Sequence, residues 1–242
     1  MDELEIFSKR IKNYIEKAKN GGVSLLNFLD DAHLGVLKSQ IINDNNVYYY
    51  GGFKNADTVR AIISPYEVED EDFKIVVFKI IYNKKYYEIG HRNVLGSLMN
   101  LGIKRECIGD IVINDDIYFA CTEEISDYIK DNLNYIGNAP VNLEKIDYEV
   151  ENVIKYQSKE YFITSLRIDN IISAAYNLSR KESHDMIIEG LVFINHVLCL
   201  NPSKDIKLGE EISVRKKGRV KLVEIGGNTK SGRIVATLAK RI

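Results

Sequence analysis

A chain of 242 residues that is 45% hydrophobic has the length and apolar content for two or three compact cores, which excludes a disordered chain. No run approaches the roughly 18 uncharged apolar residues that cross a bilayer, and residues 1–20 interleave charges where a signal peptide is continuously apolar, so a cytoplasmic, membrane-free protein is expected. The net charge of −2 conceals a split, because residues 165–242 hold 14 Lys+Arg against 8 Asp+Glu, whereas the remainder holds 19 against 27.

Residues 3–19 read as a helix, since Leu4, Phe7, Ile11, Tyr14, Ile15 and Ala18 recur at helical spacing and Gly21-Gly22 ends the pattern. A second apolar-periodic stretch starts near Ser24 and runs through Leu25, Phe28, Leu29 and His33 to Ile41. Two β-like runs follow, residues 47–53 and 58–64, with Lys54-Asn55 as the turn between them. Tyr48, Tyr49 and Tyr50 are expected to pack one strand face rather than to stack on bases. Pro65 and the acidic residues 67–72 read as a solvated boundary, which closes an N-terminal helical and hairpin unit over residues 1–72.

The next unit, residues 73–164, opens with a strand over 73–82, then a helix over 93–101 stopped by Gly102, then strands over 111–113 and 117–121. Thr122 stands where it caps a helix carrying Glu123 and Glu124 in its first turn, where acids meet the positive end of the helix dipole. Residues 141–146 and 161–164 are expected to close the unit as strands. This alternation suggests a small α+β sandwich of the ferredoxin-like or RRM-like kind. His91-Arg92 and Lys104-Arg105 flank its first helix, so Arg92 and Arg105 are candidate phosphate contacts. Asp110 and His91 lack an accompanying nucleophile, and capping or ion pairing is the expected role of Asp110. Cys107, Cys121 and Cys199 are odd in number, with no CxxC pair and no His at ligand spacing, so neither a disulfide, a metal site nor a cofactor is expected.

Residues 165–242 are the most informative. Ile168, Ile171, Ile172 and Ala175 form the buried stripe of one helix, and Ser179-Arg180-Lys181-Glu182 is a capping box that opens a second helix ending at Gly190. Arg180 and Lys181 add cations to free amides at a positive dipole end. That arrangement is unfavourable until an anion arrives, which points to phosphate binding; a plain solvated pair is the alternative. Short strands are expected at 191–194, 197–200 and 212–215, with turns at Asn195-His196 and residues 209–211. Residues 213–221 carry five cations in nine positions, a density suited to phosphate contacts. Residues 226–232 lack the spacing of a phosphate-binding loop and read as a flexible basic hairpin.

The segment from Ser165 to Arg219 resembles the S-four type RNA-binding domain, named after a small-subunit ribosomal protein. The resemblance rests on Arg167, Asp169, Ser179, Arg180, Gly190, Asn195, Gly209, Ser213, Val214, Arg215, Gly218 and Arg219, with His196 in place of the usual turn glycine and Glu210 in place of the usual aspartate. Gly90-His91-Arg92-Asn93-Val94-Leu95-Gly96-Ser97-Leu98-Met99-Asn100-Leu101-Gly102-Ile103-Lys104-Arg105 with Ile108-Gly109-Asp110-Ile111 is similar to the YlmH family, so that the resemblance spans nearly the whole chain. It implies an N-terminal unit, an RRM-like middle domain and a C-terminal S-four domain. It further implies a place on the large ribosomal subunit, in rescue of stalled subunits blocked by peptidyl-tRNA, and a link to cell-division genes.

The expected function is therefore non-catalytic docking on large-subunit ribosomal RNA and tRNA by a monomer. The expected phosphate contacts are Arg167, Arg180, Lys181, Arg215, Lys216, Lys217, Arg219 and Lys221, with Arg92 and Arg105 in the middle domain. Two alternatives stay open: an RNA-modifying enzyme of the pseudouridine-synthase type, for which residues 1–164 show no catalytic signature, and an adaptor that links translation to cell division through its acidic body.

Overall fold

In the computed structural model, which describes residues 3–41 and 46–241, the first helix α1 (Glu3–Lys19) forms on the predicted stripe and buries Phe7, Ile11 and Ala18. The apolar stretch expected over residues 24–41 is not continuous. Ser24–Leu25 form strand β1, and helix α2 (Asp31–Gln40) begins only after Asp30, whose carboxylate accepts the His33 amide at 2.9 Å as an N-cap. Strands β2 (Val47–Tyr50) and β3 (Arg60–Ile63) pair antiparallel, and β1 pairs with the other edge of β3, giving the order β1-β3-β2. Helical spacing over 24–29 thus loses to pairing, because β3 is buried along its whole length and needs a partner on each side.

The acidic residues that read as a solvated boundary wind into one 3-10 turn, Asp70–Phe73, with only Phe73 buried. Arg60 ties this turn to the first sheet. Its guanidinium is 2% exposed and donates to Leu26 O at 2.9 Å, Phe73 O at 2.8 Å and Lys74 O at 3.0 Å. Three carbonyls that face one buried side chain make this arginine a cross-brace between elements distant in sequence.

From here the chain runs β4 (Ile75–Ile81), α3 (His91–Asn100), β5 (Ile108–Ile113), β6 (Ile117–Thr122), α4 (Glu123–Asn132), the short pair β7 (Tyr135–Ile136) and β8 (Ala139–Pro140), then β9 (Asn142–Ile146). The sheet order is β5-β6-β4-β9, antiparallel throughout. Period-2 alternation along β4 sends Val76, Phe78 and Ile80 into a core with Val94 and Leu98 of α3 and Ile129 of α4. Helix α3 begins at His91, two residues earlier than its apolar pattern, because the Asn93 side chain accepts the Gly90 amide at 2.9 Å. Thr122 takes the N-cap place of α4 without accepting an amide.

The opposite face of this sheet is also packed. Phe28, Phe53, Val112, Tyr118, Ala120 and Ile146 form a second core there. Asp110, on β5, is committed to the same layer: its oxygens accept the Asp57 amide at 2.6 Å and the Thr58 amide at 3.1 Å, and burial pushes its carboxyl above the ordinary range. The residue is a structural anchor for the loop at 57–58.

The chain divides into two compact units, Met1–His33 with Leu37–Val153, and Leu34–Val36 with Ile154–Ile242. In the second, β10 (Tyr156–Ile163), α5 (Ile168–Tyr176), α6 (Arg180–Ile188), β11 (Val192–Ile194), β12 (Val197–Leu198), β13 (Glu211–Val214), β14 (Gly218–Asn228) and β15 (Ile234–Arg241) build a six-stranded sheet in the order β10-β15-β14-β13-β11-β12. Residues 161–164, expected to close the middle sandwich, belong here instead. All eight residues of β10 pair with β15, from Tyr156↔Arg241 to Ile163↔Ile234, and Ile163 enters the second unit's core. The basic hairpin expected at 226–232 is the far end of two long paired strands, β14 and β15. The helices α5 and α6 bury Ile168, Ile171, Ile172, Ala175 and Ile187 against the sheet residues Val192, Ile212, Val214, Leu222 and Leu238. Among the described residues no helix is long and apolar enough to cross a membrane, and no group of His, Cys, Asp and Glu is arranged to hold a metal.

Candidate nucleic-acid interface

The start of α6 forms as its capping box dictates. Ser179 Oγ accepts the Glu182 amide at 3.1 Å, and the Glu182 carboxylate accepts the Ser179 amide at 2.7 Å. Hydrogen bonds from the Ser179 side chain and amide hold the Glu182 carboxyl below its ordinary range, with a smaller coulombic pull from Lys217.

Arg180 is held in position by neutral groups. Its guanidinium donates to Thr164 Oγ1 at 2.6 Å and to Asn170 Oδ1 at 3.3 Å, while Asn170 Nδ2 donates to Thr164 Oγ1 at 2.7 Å and to Ser165 O at 3.2 Å. Asn170 is 9% exposed, so this bracket is part of the fold and not a surface accident. Neutral acceptors fix the arginine without cancelling its charge. Lys181, one residue on, is exposed.

The β13–β14 connection is a three-residue hairpin loop, Arg215, Lys216 and Lys217, closed by the Val214↔Gly218 pair. Lys216 sits at φ +65° and Gly218 at φ +108°. A loop this short cannot tuck its side chains inward, so three consecutive cations are displayed at the turn; Arg215 also lies over the Phe193 ring at 5.8 Å.

The remaining predicted cations are placed differently. Arg167 caps α5 by position but is clamped to Asp169 in a two-point pair, Nε to Oδ1 at 3.1 Å and a second nitrogen to Oδ2 at 2.7 Å. Arg219 faces Glu211 at 3.3 Å, and the Tyr156 hydroxyl donates to the same carboxylate at 3.1 Å. Lys221 lies opposite Glu211 in the ladder. The charges of Arg167 and Arg219 are thus answered locally, whereas Arg180 and Lys181 have no carboxylate partner among the described residues. Arg92 occupies the first turn of α3, and Arg105, past the helix's other end, donates to Ile108 O. A ten-residue helix spans about 15 Å, too far for these two to share one phosphate. The sequence offered no sign of the Thr164–Asn170 bracket, because neither residue is charged or part of a spaced motif.

Residues 68–150 match a family model described as a putative RNA-binding domain in YlmH, and residues 166–212 match the S4 domain. A protein of Bacillus subtilis (strain 168) named ribosome-associated protein quality control protein P2 is 30% identical over 225 residues, covering 90% of this chain and 88% of its own. The chain belongs to the YlmH family. A solved structure, that of the cell division protein ylmH from Streptococcus pneumoniae, is 25% identical at a TM-score of 0.50, covering 61% of this chain and 93% of that one. The first of the two matched families is described as RNA-binding, and neither description names a reaction. The YlmH-domain match starts at residue 68 and ends four residues beyond β9, so it encloses the β5-β6-β4-β9 sheet and both of its helices.

Proposed function

We propose that the protein is a ribosome-associated RNA-binding factor of the YlmH family that works by docking rather than by catalysis. Its S4 domain grips structured RNA of the large subunit at the start of α6 and the β13–β14 turn, with Arg180, Lys181, Arg215, Lys216 and Lys217 against phosphates. Lys221 extends the strip, and Arg167 and Arg219 stiffen it through their carboxylate partners. Peptidyl-tRNA on a stalled subunit is the second ligand, and rescue or quality control of that subunit is the process served. The relative named as a ribosome-associated quality control protein supports this reading.

The observation that carries it is the Arg180 bracket. A cation held by two neutral side chains at a helix N-terminus is ordered before any ligand arrives and keeps its full charge for one. Gradient sedimentation of tagged protein from cells tests the proposal, beside a variant carrying Arg180→Ala, Lys181→Ala, Lys216→Ala and Lys217→Ala. Co-migration of the wild type with large subunits and release of the variant is the expected result; both proteins at the top of the gradient refutes it.

The adaptor reading has one specific support, the structural relative's designation as a cell division protein. Protein partners that survive RNase treatment of a pull-down would favour it.

A further inference from the structure

The sandwich matched as a putative RNA-binding domain has two sheet faces, and neither is open at its centre. Helices α3 and α4 cover one. Over the other, Gly52 comes so close that a Cβ on it would stand 2.8 Å from Ile75 Cγ2 and 3.1 Å from Val77 Cγ2. A Cβ on Gly109 would meet the Phe28 ring at 2.6 Å, and Phe28 and Phe53 are 4% and 3% exposed. A four-stranded sheet that stacks bases on strand aromatics needs that face free. Here Phe28, Phe53 and the Gly52 backbone occupy it.

Phe28 also lines a cleft of about 810 Å³ in the same unit, between α1 and the turn that follows α3. The volume lies within the roughly 300–1,000 Å³ typical of ligand clefts. Arg10 and Tyr14 come from the α1 wall, Lys104 and Arg105 from the opposite one. Arg10, Lys104 and Arg105 are exposed, and none has a carboxylate within ion-pair distance among the described residues. Of the acids in the wall, Asp30 holds the His33 amide and ring at 2.9 and 2.7 Å and, with Asp110, also pulls electrostatically on Arg105, while Glu3 and Glu106 are exposed. An apolar floor with a part-exposed tyrosine, Arg10 beside Glu3 on one wall and Lys104-Arg105 beside Glu106 on the other, offers a ring for a base and separate cations for the phosphates on either side of it.

We infer that this cleft is a second RNA site that takes a single-stranded segment, with a base over Tyr14 and the apolar floor and phosphates against Arg10 on one side and Lys104-Arg105 on the other. This deepens the RNA-docking reading and gives the middle domain a route to RNA that does not use its sheet face.

The test uses the full chain and a short 4-thiouridine-substituted single-stranded RNA, with photo-cross-linked peptides mapped by mass spectrometry and affinity followed against salt. Two variants are compared: Arg10→Glu with Lys104→Glu, both on exposed side chains so that circular dichroism and melting stay as in the wild type, and Arg180→Ala with Lys181→Ala. Cross-links on peptides that carry Tyr14 or Phe28 are expected, retained in the second variant and lost in the first. The first variant should lose about tenfold or more in affinity and about 1.4 from the salt slope, roughly 0.7 for each single-strand phosphate contact. Cross-links confined to residues 165–242, unchanged binding in the first variant, or no binding of single strands by the wild type each overturn the inference. A structured RNA hairpin titrated in parallel reports on the S4 docking surface alone, so failure of that reading is seen separately.

Discussion

Asn170 accepts a hydrogen bond from Arg180 at 3.3 Å while its own amide donates to Thr164 at 2.7 Å, so a buried neutral side chain on α5 sets the direction of the cation that opens α6. If Arg180 meets phosphate, Asn170 acts through it. Asn170→Ala should cost about 1 kcal/mol of stability and weaken binding to a structured RNA about threefold, and Arg180→Ala should weaken it about tenfold. The double variant should bind no worse than Arg180→Ala alone. Fluorescence titrations that show fully additive losses would remove Asn170 from the site.

Lys216 holds a left-handed backbone, φ +65°, that lysine seldom adopts. Lys216→Gly relieves the strain and should raise the unfolding free energy by about 1 kcal/mol, while it removes one cation and lowers RNA affinity several-fold. Urea unfolding and RNA titration on one preparation test both. A variant that gained stability at no cost in affinity would take Lys216 off the interface.

Glu182 carries a depressed carboxyl pKa, owing first to its hydrogen bonds with Ser179 and then to Lys217. A group whose pKa is lowered on folding contributes stability that is present above the unfolded value, near 4.5, and is lost as pH falls through the folded one. Glu182→Gln keeps an acceptor for the Ser179 amide but not the charge. Its urea midpoint should therefore lie below the wild type's at pH 7 and meet it in acid. The same substitution removes a negative charge beside Lys217 and should raise RNA affinity about twofold.

Arg60 braces Leu26, Phe73 and Lys74 from a site 2% exposed. Arg60→Met leaves three inward carbonyls without their donor and should cost about 3 kcal/mol or more. Arg60→Lys should recover little, because one ammonium does not reproduce the planar fork that spans Leu26 and Phe73. Thermal unfolding of the two variants decides. Near-native melting of Arg60→Lys would mean that charge alone, not geometry, is needed.

What is legible along the chain depends on range. The stripe of α1, the capping box of α6 and the helical stripe of α5 are patterns within a few residues, and each forms where its spacing requires. The Arg215–Lys217 run is legible as a basic segment, but its display on a three-residue loop depends on β13 and β14 finding each other. Residues 24–29 mislead because their helical spacing is weaker than the demand of buried β3 for a partner. Residues 161–164 read as part of the wrong sheet because a strand's partner, here β15 about seventy residues on, leaves no local mark.

The sequence by itself determined the stripes of α1, α5 and α6, the acidic body, the basic C-terminal domain and the family to which the chain belongs, since all of these are carried by composition and short-range spacing. The tertiary structure alone decided which cations are free to act. Arg167 and Arg219 look equal to Arg180 in a list of charges, yet the fold sets Asp169 and Glu211 against the first two and neutral Thr164 and Asn170 against the third. A charge is available to a ligand only when its neighbours in space leave it uncancelled, and those neighbours are chosen by packing.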